Sequence, residues 1–381
     1  MKTIGIGLAV ALAASPALAL ERADLSRYLF VPNRASAEVS VIDTRSERVV
    51  AQLPVGRTPH QIVVSDVLGV LVASNIEDDT VSIIDLESET TLATLPLDRE
   101  PEHMQLSPDG RLVAVGNIKG DSVSLVSLTE LREVARIEGL VQPHNLTFDP
   151  TGKRLYVANL GADFVSVIDV EEGRVVEEIP VGEPKLVALA ARDEAYQGII
   201  NVTATPDGRL GFAAYGEGNR LAMLDLRTGA NLKTLELGEL PWRAYTTADG
   251  RFMLVPNNGD ETISVISTAS LEEVARLEGG PDMVGINAGW FETTAFVLSR
   301  GADKLIVLDL VNLAKAGEIP LPGTPETGVV SPDGTRLYVA LSSTDQVAVI
   351  DTRRRALIGL IDGLGEEPWG TFMVGSINYC H

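Results

Sequence analysis

Apolar side chains along this chain come in short runs of strand length rather than at helical spacing. The runs begin at Val39, Val81, Val123, Val165, Leu221, Ile263, Leu305 and Val347, and read VSVID, VSIID, VSLVS, VSVID, LAMLD, ISVIS, LIVLD and VAVID. Successive starts are 42 residues apart, except for one step of 56 between Val165 and Leu221. Each unit also carries a preceding run such as Leu155-Tyr156-Val157-Ala158-Asn159, a following run such as Val175 to Gly182, and a fourth that ends in a turn. The turns include Ser107-Pro108-Asp109-Gly110, Thr205-Pro206-Asp207-Gly208 and Ser331-Pro332-Asp333-Gly334. Proline presets one backbone angle and glycine permits positive φ, as a tight turn between antiparallel strands requires. Four short strands per unit at a fixed period is the pattern of a propeller blade. The units predict an all-β fold: an eight-bladed β-propeller with four antiparallel strands per blade.

The two ends of the chain predict how the ring closes. The first unit opens at Arg27-Tyr28-Leu29-Phe30-Val31 without an inner strand before it, and the run from Pro368 to Gly375 has no strands after it. That C-terminal strand is expected to complete the first blade, which removes the open sheet edges that invite aggregation. The long step places an insertion around 185–198, rich in helix formers from Leu186 to Ala195. A short helical lid over one mouth of the channel, carrying Glu194 or Tyr196, is expected there.

Runs such as Leu155-Tyr156-Val157-Ala158-Asn159 and Leu337-Tyr338-Val339-Ala340 resemble the YVTN-type repeat family, and the resemblance spans essentially residues 27 to 375. The motif is specific for fold and nearly silent on activity. Eight units make the chain similar to the cytochrome d1-type haem propellers, which implies a haem-like tetrapyrrole as one candidate cofactor. Their axial-ligand context has no residue-by-residue match here.

Composition narrows the setting. Residues 1–19 read as an export signal: Lys2, an apolar stretch from Ile4 to Ala14, and the small-x-small site Ala17-Leu18-Ala19. Cleavage near Ala19 would leave 20–381 as one periplasmic or secreted propeller domain without a membrane span. The formal charge of −22 disfavours nucleic acid and anionic membranes as partners. The single cysteine, Cys380, has no partner within the chain, so stability must come from packing and sheet closure. With His381 it forms a tail expected at the face opposite the other histidines. The Cys-x-x-Cys-His of covalent haem attachment is absent, because Ile377 stands at its first position.

Candidate chemistry falls on the inner strands. Aligned on the residues that open their turns, positions one and three before are mainly apolar, which assigns positions two and four before to the channel. His103, Gln105, Asn145, Thr147, Asn201, Thr203, Arg243 and Tyr245 are then expected as one polar wall, opposite a wall with Met283, Val329 and Phe372. His60, His103 and His144 follow Pro59, Pro101 and Pro143 in consecutive repeats, which gathers three of the four histidines at one mouth. Imidazoles there suit a transition metal or haem iron. Their phases differ: His103 is in the channel phase, whereas His60 and His144 share the phase of Glu102, Trp242, Asp282, Glu326 and Trp369. A lone Arg243 in so acidic a chain suits a carboxylate-bearing ligand, or else pairs with a carboxylate on a neighbouring blade.

The expected site is therefore His60, His103, His144, Gln105, Asn145, Asn201, Arg243 and Tyr245, with the three histidines as metal ligands. The expected function is a binding or accessory protein for a small anionic or metal-containing cofactor. A scaffold for a periplasmic protein partner is the alternative, and an oxidoreductase using the same histidines a third reading.

Overall fold

The computed structural model describes residues 20, 22–182, 196–289 and 291–376. The expected export signal, nearly all of the 185–198 insertion and the tail with Cys380 and His381 fall outside them. Within them the chain forms eight four-stranded antiparallel sheets. Seven are built from consecutive strands, as in Pro59–Ser65, Val70–Asn75, Thr80–Asp85 and Thr90–Pro96, running from the axis outward. The eighth joins Tyr28–Asn33, Glu38–Asp43 and Arg48–Pro54 to the C-terminal strand Phe372–Met373. Leu29 faces Met373 and Phe30 faces Phe372 in that seam. It is extended by an Asn33–Pro368 bridge and by hydrogen bonds from Arg34 N to Glu367 O and from Trp369 N to Pro32 O, each 2.9 Å. The predicted closure is the one observed.

The middle strands of each blade are buried on both faces because both faces pack against neighbouring blades; Val70–Asn75 is buried throughout. Outer strands alternate between exposed and half-buried, as Arg48–Pro54 does. The third and outer strands carry a β-bulge at the same repeat position in every blade, for example between Val41 and Ile42, Ile83 and Ile84, and Leu125 and Val126. Such a bulge increases local twist, as radial blades need. The asparagine that ends many second strands is wholly buried and tied to the third strand. Asn75 Nδ2 donates to Ser82 Oγ at 3.0 Å and Asn117 Nδ2 to Ser124 Oγ at 2.9 Å, while Asn75 Oδ1 accepts from Gly56 N at 3.0 Å. The predicted turns form as well: Ser107 Oγ accepts from Leu112 N at 3.0 Å, and Gly110 takes φ of 71°.

Candidate functional site

Inner strands begin irregularly. Pairing with the second strand breaks between Pro59 and Ile62, between Pro101 and Met104, and between Pro143 and Leu146. The residues inside these breaks are His60 with Gln61, Glu102 with His103, and His144 with Asn145. A bulge re-aims side chains, and this one cancels the phase difference that strict alternation imposes on His60 and His103. The three imidazoles meet. The rings of His60 and His103 lie edge to face with centroids 5.3 Å apart, and those of His103 and His144 lie 4.1 Å apart. All three residues are buried.

Glu102 completes the group, a residue that sequence reasoning placed in phase with His60 but not among the ligands. Its Oε1 lies 3.4 Å from His60 Nε2 and 3.8 Å from His103 Nε2. One ligand atom from each of His60, Glu102 and His103 falls within 4.8 Å of the others. The Pro-Glu-His sequence was the available signal, since it puts a carboxylate and an imidazole side by side at the channel mouth. Burial, reinforced by repulsion from Glu100, pushes the Glu102 carboxyl up to about 7.

His103 and His144 define the local proton arrangement. His144 Nδ1 lies 2.8 Å from the carbonyl oxygen of Ile200, which can only accept, so Nδ1 carries the hydrogen. Burial holds the His144 imidazole down at about 4, with the positive charge of Arg243 acting in the same direction, so near neutral pH the ring is uncharged. Its Nε2 therefore presents a lone pair. His103 Nε2 sits 3.0 Å from that atom and must be the donor.

Several of the other expected inner-strand residues bond to the next blade. Because both faces of a blade meet other blades, alternate inner-strand side chains point to one neighbour or the other. Asn201 Oδ1 accepts from Ala244 N at 3.2 Å, and Tyr245 OH donates to Val284 O at 2.6 Å. Thr203 Oγ1 donates to Ala244 O at 2.8 Å, and Thr147 Oγ1 to Val202 O. These groups stitch each inner strand to the next. Met283, Val329 and Phe372, expected as an apolar channel wall, are buried in the hydrophobic packing between blades. Gln105 is half-buried on the inner strand beside His103.

Arg243 stays close to the imidazoles. It precedes a shortened inner strand, Tyr245–Thr246, and is buried with 6 % exposure. The Asn145 amide lies against Arg243, and the hydrogen bonding around it assigns the oxygen to the guanidinium side, 2.7 Å from Arg243 Nη2, and the nitrogen to the side of Val202 O at 3.3 Å. On the other side of the mouth Arg300 is bracketed by carboxylates, with Nε 2.7 Å from Asp282 Oδ2 and Nη1 3.2 Å from Glu326 Oε2.

Fold and site together define an eight-bladed propeller with a buried imidazole and carboxylate cluster where consecutive inner strands begin. The chain belongs to the YNCE-like beta-propeller family, whose profile matches residues 62–377. A seven-bladed beta-propeller protein of Mycobacterium tuberculosis is 32 % identical over 119 residues, a match that spans 30 % of each chain. Among solved structures, a dihydro-haem d1 dehydrogenase in complex with its ligand superposes with a TM-score of 0.73 at 18 % identity, covering 92 % of this chain and 76 % of that one. Hydrazine synthase of Kuenenia stuttgartiensis gives a TM-score of 0.59 at 22 % identity, covering 77 % of this chain and 95 % of that one. At these identities the likeness is one of fold. Among the described residues no helix is long and apolar enough to cross a membrane.

Proposed function

We propose that this propeller is an exported metal-binding protein that holds a divalent first-row transition ion between His103 and His144, beside His60 and Glu102. The carrying observation is the 3.0 Å separation of the two Nε2 atoms together with the anchoring of His144 Nδ1 on Ile200 O. Two nitrogens bound to one ion at about 2.1 Å and at about a right angle lie about 3.0 Å apart. His144 already has the form of a metal ligand, since its second ring nitrogen donates to a backbone carbonyl that fixes tautomer and orientation. To bind, His103 moves its hydrogen from Nε2 to Nδ1, which frees the second lone pair. Mixed imidazole and carboxylate donors suit zinc, iron, cobalt or nickel rather than magnesium or calcium.

A haem-like tetrapyrrole is the second reading, favoured by the fold shared with the d1 dehydrogenase. One of the three imidazoles would hold its iron, and the His103–His144 contact would have to open to admit the macrocycle. The export signal at 1–19 supports a periplasmic or secreted setting for either.

Titration of chelator-treated protein with Co(II) tests the reading. One equivalent is expected to bind and give the visible bands of a nitrogen-ligated site, with at least a tenfold loss of affinity in His103→Ala and in His144→Ala. Absence of a stoichiometric Co(II) site in the folded wild-type protein overturns it, and an intense Soret band in protein from its native host selects the tetrapyrrole instead.

A further inference from the structure

Arg243 differs from the other arginine at this end of the channel. Arg300 lies between two carboxylates, whereas among the described residues no ion pair joins Arg243 to a carboxylate. Its Nη2 is satisfied by the neutral amide of Asn145 at 2.7 Å, and its Nη1 is buried without a hydrogen-bond partner. A guanidinium is the most persistently charged of the basic side chains. Removing such a cation from water without a countercharge is strongly unfavourable. The surrounding structure nevertheless fixes the group in place: Asn145 holds one arm, and Asn201 pins the adjoining backbone through Ala244 N at 3.2 Å.

We infer that Arg243 is the anchor of an anion subsite, which takes a small carboxylate or oxyanion beside the imidazole cluster. The anion would accept from Nη1 and supply the missing negative charge, in the planar geometry a guanidinium favours. The inference deepens the metal reading in one respect and rests on it there: an anion held by Arg243 would add negative charge at the same end of the channel as the proposed ion.

Formate is the probe, titrated calorimetrically into chelator-treated wild-type protein at low ionic strength, with chloride as the competing control. Saturable binding of one equivalent is expected, at least tenfold weaker in Arg243→Gln and intermediate in Arg243→Lys, which keeps the charge and loses the fork. Cooperative melting of both variants shows that the comparison is between folded proteins. Formate binding that is absent from wild type, or undiminished in a folded Arg243→Gln, overturns the subsite. Working without metal separates the two ideas: formate binding without a Co(II) site sinks only the metal reading, and a Co(II) site without formate binding sinks only this one.

Discussion

Asp43 ends the third strand of the closing blade, and its carboxylate is bound by the Arg27 guanidinium and by Arg45 N at 2.9 Å. The arginine holds the carboxyl down at about 2, below its ordinary 3.8. A lowered carboxyl adds stability above its unfolded value, and that contribution fades as pH falls through the folded one. Asp43→Asn is therefore expected to cost about 1–2 kcal/mol at pH 7, after allowance for partial solvent screening of Arg27. At pH 2 and below the gap to wild type should close. Urea unfolding at both pH values measures this, and a difference independent of pH would mean that packing rather than charge is responsible. At the same scale, the sequence showed which residue types gather at the channel mouth but not what each one touches. Asn201 and Tyr245 were legible as polar inner-strand positions, yet the backbone they serve belongs to the next blade. The contact is set by how two sheets meet, a relation absent from either repeat taken alone.

Strands and turns were readable because period-two patterning and Ser-Pro-Asp-Gly turns act locally. The site was readable only in part, because the openings of the inner strands depart from alternation. His60 and His103 are out of phase by sequence and adjacent in space, and the break in pairing after each proline is the reason. That geometry has an identifiable support. Gly116, on the second strand of the blade carrying His103, leaves room for the start of the next blade: a Cβ there would lie 2.7 Å from Pro143 O and 3.3 Å from His144 O. Those contacts are backbone and cannot swing aside. Gly116→Val is expected to lose about 1–3 kcal/mol by overpacking and to weaken Co(II) binding at least tenfold by displacing His144. Unchanged Co(II) affinity in a folded variant would show that His144 is positioned independently of this contact.

Across the whole molecule, all eight blades repeat one plan and only one of them joins the two ends of the chain. A chain ending at Gly365 would lose Pro368, Trp369 and the strand Phe372–Met373, and expose Tyr28–Asn33 as an unpaired edge. Calorimetry is expected to show a broadened, less cooperative transition, and light scattering an aggregation that grows with concentration. A sharp, wild-type-like transition in the truncated chain would mean that the seam contributes little.

The position of that seam also bears on how quickly the native state is reached. Seven blades are successive hairpins whose partners are neighbours along the chain, whereas Leu29 finds Met373 only after more than three hundred intervening positions. Closing so long a loop carries about 3 kcal/mol more entropy cost than closing a ten-residue hairpin. Refolding should accordingly proceed in two stages, with rapid gain of strand structure followed by a slow event in which the first and last segments dock.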